Sequence, residues 1–265
     1  MEGWTLKNKN FVVTGGSKGI GQAVGRAILE HEAVGLIICS RGGAEDVVSS
    51  LKKGFPSARI AHVQCDIATP GGRSLLVEAT KKAFPSLHGL VNNVGVNIRK
   101  PILEQSADEY NTILRTNVDS CYFLCKDFFP LFEKSGQGST IVNVSSAAGI
   151  QSSGTGCAYG ISKAALNHLT RILACEWAAR KIRVNAVCPW MTMTPMLEEA
   201  VKENPDQLKK VKQWTPMNRL ADAKEIAAPI VFLCLPASSY ITGQVLAVDG
   251  GLSCQGFDGP CVLPP

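Results

Sequence analysis

Short apolar runs alternate along this chain with stretches in which apolar residues return at helical spacing. Phe11-Val12-Val13, rich in β-branched residues, ends in Thr14-Gly15-Gly16-Ser17-Lys18-Gly19-Ile20-Gly21, after which Ile20, Val24, Ala27 and Ile28 mark one helix face. The pattern predicts strand, glycine turn, helix. Gly35-Leu36-Ile37-Ile38-Cys39 is apolar throughout, as suits a strand covered on both faces of a parallel sheet. A helix is expected around 45–54, an alternating strand over Arg59–Gln64, and a helix from about Thr69 and Pro70. Gly89-Leu90-Val91-Asn92 supplies a fourth strand, and helices are predicted over 107–114 and 118–134 with Asn117 between them. Strand five runs through Gly138–Val144, a helix containing Tyr159 continues to about Arg180, strand six covers Ile182–Val187, and Gln244–Gly251 supplies the seventh strand. Such alternation implies an α/β fold with one domain over 1–265, built on a seven-stranded doubly wound parallel sheet with helices on both faces.

The rhythm breaks over 189–222, where Trp190, Met191, Met196 and Trp214 interrupt a charged segment. An insertion there is expected to cover the sheet's ligand crevice as a lid with an apolar underside, the alternative being a plain surface hairpin of helices. A Gly- and Pro-containing tail closes the chain over 252–265. The charge-free run from Ser135 to Ser162 is long enough to span a membrane, but its serines, glycines and Asn143 suit a strand entering a buried polar site instead.

Composition narrows the function. At 265 residues and 45% hydrophobic content the chain buries a large core. Its net charge of +5 is dispersed in doublets such as Lys52-Lys53 and Lys81-Lys82 rather than gathered in a stripe, so neither nucleic acid nor a membrane is an expected partner. Ten cysteines occur without a Cys-x-x-Cys pair, and Cys121 and Cys125, one helical turn apart, have no second ligand pair at metal spacing. No metal is expected. The start, Met1-Glu2-Gly3-Trp4-Thr5-Leu6-Lys7, has no apolar signal core, and a reducing, cytoplasmic location is the expectation.

In a doubly wound sheet, ligands bind outside the carboxyl ends of the strands. The glycine turn lets a pyrophosphate approach the unpaired N–H groups at a helix start. Arg41 follows the second strand where an acid would hold a ribose and an arginine suits a 2′-phosphate, and Lys18 reaches the same point. The pair points to NADP(H), unless both are merely solvated charges. Asp66, at the end of the third strand, is suited either to the adenine amino group or to capping the following helix. Asn92 and Asn93 need several partners and are expected to fix their turn beside the cofactor. Tyr159 and Lys163 lie on one helix face, and an ammonium beside a phenol favours the phenolate, which makes a proton donor of a group whose free pKa is about 10. By itself that spacing is common on helix surfaces.

The ordered set Thr14-Gly15-x-x-x-Gly19-Ile20-Gly21, Asn92-Asn93-x-Gly95, Asn117, Ser146, Tyr159, Lys163 and Asp249-Gly250-Gly251 resembles the short-chain dehydrogenase/reductase family along nearly the whole chain. Trp4-Thr5-Leu6, Leu173-Ala174-Cys175-Glu176-Trp177, Thr215-Pro216-Met217 and Ser239–Gln244 look most like the tropinone reductases of plants. The resemblance implies a Rossmann fold in which Ser146 hydrogen-bonds a substrate carbonyl, Tyr159 donates the proton, Lys163 holds the nicotinamide ribose and Asn117 holds a relay water. It groups Gly15, Ser17, Lys18, Gly19, Ile20, Gly21, Ser40, Arg41, Asp66, Ile67, Asn93, Gly95, Pro189, Thr192 and Thr194 with Tyr159 and Lys163 around NADP(H). Two departures stand out: Val94 replaces the usual Ala, and Trp190 replaces the usual Gly after Pro189, which narrows a pocket or demands a different φ.

The implied activity is NADP(H)-dependent reduction of the ketone or aldehyde carbonyl of a small to medium, largely apolar substrate, with hydride from the 4-pro-S face. Candidate substrate contacts are Ser146, Tyr159, Val96, Gln151, Trp190, Met191, Met196 and Trp214. The alternatives are a reductase of 3-oxoacyl thioesters and a non-catalytic NADP(H)-binding protein whose pocket Trp190 narrows. The resemblance also implies a homodimer or homotetramer built on the helices of 118–134 and 159–180.

Overall fold

The computed structural model describes residues 3–195, 197 and 206–256. Seven strands form one sheet: β1 (Asn10–Thr14), β2 (Gly35–Ser40), β3 (Arg59–Gln64), β4 (Gly89–Asn92), β5 (Ser139–Val144), β6 (Ile182–Pro189) and β7 (Val245–Val248). All neighbours are parallel, in the order β3-β2-β1-β4-β5-β6-β7. The chain builds outward from β1 through β2 to β3, then returns to pair β4 with β1's other edge, Val12 standing opposite both Ile37 and Leu90. That reversal opens a crevice above the carboxyl ends of β1 and β4.

The helices are α1 (Gly19–Glu30), α2 (Glu45–Gly54), α3 (Pro70–Ala83), α4 (Ala107–Leu114), α5 (Ser120–Glu133), α6 (Cys157–Trp177), α7 (Asp206–Trp214) and α8 (Ala223–Cys234). Side chains alternate across each strand and so divide the core in two. Phe11, Val13, Leu36, Ile38, Val91 and Val142 pack under α1 and α8, beside Val24, Ile28, Ile226 and Ile230. Val12, Ile37, Leu90 and Ile141 pack on the opposite face with Leu76 of α3, Leu124 and Phe128 of α5 and Leu173 of α6. This is the doubly wound, single-domain arrangement expected from the apolar pattern.

Three local outcomes differ from expectation. No break separates α4 from α5: residues 115–119 form a π-helical turn that carries the backbone through without a cap. A π turn inserts one residue and shifts the helix face, which is how Thr116 and Asn117 both become buried. Asp66 does not cap α3, because its Oδ1 accepts from Ala68 N at 3.0 Å while the Thr69 hydroxyl accepts from Gly72 N and caps the helix. The helix of Tyr159 gives way at Ala178 to a 3₁₀ turn, and Lys181 reverses the chain at φ 57°. Met196 and the tail beyond Gly256 lie outside the described residues.

Candidate active site

The glycine turn is locked from two sides. Gly15 N and Gly16 N donate to Cys39 O at 2.9 and 3.2 Å, which ties the turn to β2. Asn93 Nδ2 donates to Thr14 O and Gly15 O at 2.9 and 3.3 Å, and the Thr14 hydroxyl accepts from Asn93 N and Val94 N. Gly21 must lack a side chain here, since a Cβ would meet Gly15 O and the Asn93 amide. Lys18 precedes α1 without a side-chain cap and the first turn holds no acid, so the helix start faces the crevice with donors to offer.

At the end of β2, the Ser40 hydroxyl donates to Gly42 O and lies 2.8 Å from His62 Nε2. Arg41 and Lys18 are exposed, and neither is in an ion pair among the described residues. Asp66 is turned into its own loop by the Ala68 bond, while Ile67 is buried and its carbonyl accepts from Arg73 Nη1. Ser17, Gly19 and Ile20 belong to the turn itself. Thr194 reaches across from the segment after β6, its methyl 3.3 Å from where a Gly19 Cβ would stand. Thr192 is buried and donates to Trp190 O at 2.9 Å.

The polar cluster forms where β4, β5, α6 and the π turn converge. Lys163 is 3% exposed and its Nζ donates to Val144 O at 2.9 Å, the one acceptor it has among the described residues. An ammonium so deeply buried needs further partners. It stands 5.7 Å from the centroid of the Tyr159 ring. Asn117 is fully buried: its Oδ1 accepts from Val96 N at 2.8 Å, and its Nδ2 donates to Val96 O and Ser162 Oγ, both at 3.0 Å. The Ser162 hydroxyl in turn donates to Tyr159 O at 2.7 Å. Gly95 closes the group, since a Cβ on it would lie 3.2 Å from Lys163 Nζ and 3.6 Å from Asn117 Oδ1. Ser146 follows β5 and its hydroxyl accepts from Ala148 N at 3.2 Å, whereas the buried Ser145 donates to Lys163 O and serves packing. The residues fit a dinucleotide along the crevice: a helix start without a side-chain cap, two exposed cations, Lys18 in the glycine turn and Arg41 after β2, and a buried ammonium with one acceptor among the described residues.

A cavity of about 380 Å³ is bordered by Arg99, Gln151, Trp190, Met191, Lys210 and Trp214 among others, and by Thr155, two residues before α6. Of the expected substrate contacts, Gln151, Trp190, Met191 and Trp214 line it, with Trp214 at the edge and 71% exposed; Val96, Ser146 and Tyr159 are not among its walls. Val96 contributes its backbone to Asn117 instead.

Residues 15–253 match the family model described as enoyl-(acyl carrier protein) reductase. A chloroplastic tropinone reductase homologue of Arabidopsis thaliana is 42% identical over 262 residues, 97% of this chain and 79% of the relative. A second tropinone reductase homologue of the same plant is 41% identical over 260 residues, 96% of either chain. The chain belongs to the short-chain dehydrogenase/reductase family. Among solved structures, L-sorbose reductase of Gluconobacter frateurii, complexed with NADPH and L-sorbose, superposes with a TM-score of 0.87 at 28% identity over 94% of this chain and 98% of that one.

Within this short-chain dehydrogenase/reductase scaffold, Trp190 needs no glycine-like backbone, as it is absent from the residues with positive φ. Its N–H donates to Val248 O, and its indole Nε1 donates to Thr215 Oγ1 at 3.0 Å. Thr215 is itself held by its bond to Val211 O at 2.7 Å. The ring is thus fixed to the C-terminal end of α7, and Trp190 and Met191 border both the large cavity and one of about 80 Å³ whose other walls include Thr215, Met217, Arg219 and Asp249. Val94 is accommodated with its Cγ2 3.2 Å from where a Gly15 Cβ would lie. Sequence reasoning passed over Thr14 and Ser162, whose hydroxyls hold the glycine turn and the tyrosine backbone; a hydroxyl just after or inside an apolar run was the available signal. Arg99 and Lys210 carried no signal of their own.

Proposed function

We propose that the protein is an NADP(H)-dependent carbonyl reductase, equally an alcohol dehydrogenase in reverse, acting on the ketone or aldehyde of a small to medium substrate with an apolar body. The observation that carries the reading is the buried Lys163 ammonium, whose three N–H donors meet one acceptor among the described residues, beside Tyr159 on the same helix face. When bound, the cofactor supplies the hydride, which no side chain can. The chain's own residues manage the charge and the proton. As negative charge builds on the substrate oxygen, the Ser146 hydroxyl donates a hydrogen bond to it and the Tyr159 hydroxyl gives up its proton. Lys163 favours the phenolate left behind, and Asn117 keeps the floor of the site rigid through Val96 and Ser162.

Preference for NADP(H) over NAD(H) is supported by Lys18 and Arg41, which have no ion-pair partner among the described residues, and by the NADPH bound in L-sorbose reductase. A second reading, reduction of a 3-oxoacyl thioester, is favoured by the acyl-carrier description of the matching family model. A homodimer or homotetramer, built on α5 and α6, is supported by Tyr122, Phe123, Ile161 and Ile172, apolar side chains left exposed on those helices. The cytoplasm is the proposed location. A panel of ketones, aldehydes and acetoacetyl thioesters, followed by loss of nicotinamide absorbance with NADPH and NADH, tests the reading. Turnover with NADPH that Tyr159→Phe abolishes is expected; equal behaviour of the two proteins across the panel would overturn it.

A further inference from the structure

The cavity of about 380 Å³ is bordered by apolar side chains and, among the described residues, by charge of one sign. Trp190, Met191, Val211 and Leu252 supply the apolar border, while Arg99 and Lys210 supply the charge, and no carboxylate lines it among the described residues. Neither cation is in an ion pair among those residues, although Lys100, next to Arg99, is paired with Glu109. The loop of Arg99 is held: Asn97 Nδ2 donates to Thr155 O at 2.9 Å, and a Cβ on Gly156 would lie 3.9 Å from Arg99 Cα. Gly156, at φ 115°, opens α6 three residues before Tyr159, so Arg99 is fixed relative to the reacting end of the site. Lys210, on α7, borders the same cavity, as do Ser152, Ser153 and Thr155, the hydroxyls of the last two lying 2.9 Å apart. Two cations with donor hydroxyls form the setting that an acid group seeks, and they oppose a protonated amine.

We infer that the site selects ketones bearing an anionic group, a carboxylate above all, at the end of an apolar body, and rejects cationic ketones such as aminoketones. The inference rests on the carbonyl-reductase reading and adds the charge of the substrate to it. A carboxylate bound by a cation and hydroxyls gains about tenfold to a hundredfold over its neutral ester.

The test uses the full chain with NADPH and three ketones of like length: levulinate, its methyl ester and an aminoketone. Levulinate is expected to exceed the ester in kcat/KM by about tenfold or more, with the aminoketone lowest, and the acid-to-ester ratio is expected to fall about tenfold in Arg99→Gln and again in Lys210→Gln. Acetoacetyl-coenzyme A against acetoacetyl-pantetheine, which lacks the phosphates, tells a carrier phosphate from a carboxylate; preference for the phosphorylated thioester supports the anionic site with a different anion. Binding is followed separately by quenching of Trp190 and Trp214 fluorescence in the NADP-bound protein. If none of the ketones is turned over, the carbonyl-reductase reading fails, and tighter binding of levulinate than of ester still decides for the anionic site. Equal binding and turnover of acid, ester and aminoketone, or a ratio unmoved in both variants, would overturn the inference.

Discussion

Acidification is expected to destabilise the fold through His88, far from the crevice. His88 precedes β4 at the amino end of the sheet and is 8% exposed, and its Nδ1 accepts from Asn10 N at 3.2 Å. Burial, assisted by the charge of Lys9, lowers its pKa from 6.5 to about 4. Above about pH 6.5 the ring is neutral in both states and stability is independent of this group. As pH falls from there toward 4, the unfolded chain takes up a proton that the folded chain refuses, so stability is lost on the acid side. At about pH 5 the linkage amounts to ~2 kcal/mol, and residual solvent screening brings the expected loss to about 1–2 kcal/mol. His88→Gln keeps an acceptor for Asn10 but cannot titrate. Urea unfolding at about pH 7 and about pH 5 should therefore show the wild type losing more stability than the variant by that amount. His62, whose pKa burial also lowers, acts equally in both proteins and cancels. Identical losses in wild type and His88→Gln would refute the reasoning.

Three further outcomes are expected. Gly21→Ala drives a methyl into Gly15 O and the Asn93 amide, so NADPH binding measured by fluorescence titration should be lost and the fold weakened by about 2–4 kcal/mol. Trp190→Gly removes the Nε1 bond to Thr215 and the side chain of a residue that borders both cavities, of about 380 and 80 Å³, so kcat/KM should rise for bulkier ketones while thermal stability falls by about 1–3 kcal/mol. Arg41→Glu places an acid where a ribose hydroxyl would bind and repels a 2′-phosphate, and the ratio of NADPH to NADH activity should fall by about tenfold or more.

The sheet was legible in the sequence because each strand is a short β-branched or apolar stretch, Phe11–Val13, Leu36–Cys39 and Leu90–Val91 among them, set between segments of helical spacing. The junction at Asn117 was not, since periodicity cannot distinguish a helix break from a π turn; both interrupt the apolar spacing, and only burial of Thr116 and Asn117 together distinguishes them. Asp66 and Thr69 both suit a helix start, and which one caps α3 depends on a backbone turn that residue type does not encode. Trp190 looked strained as a replacement for glycine, yet its partner Thr215 lies 25 residues further on, where a hydrogen bond leaves no trace in local pattern. The same holds for Arg99 and Lys210, far apart in the sequence, which border one cavity. Tyr159, Lys163, Asn117 and Ser146 were legible as an ordered set; their mutual geometry required the fold.

The central claim, hydride delivery to a carbonyl with proton donation from Tyr159, is tested most directly with NADPH carrying deuterium at the 4-pro-S position. For a ketone found to turn over, the account predicts deuterium on the carbinol carbon of the alcohol product, and in Tyr159→Phe a rate lower by about 10²–10⁴ with NADPH still bound. Label on an alkene-derived carbon, or an unchanged rate in the variant, would contradict it.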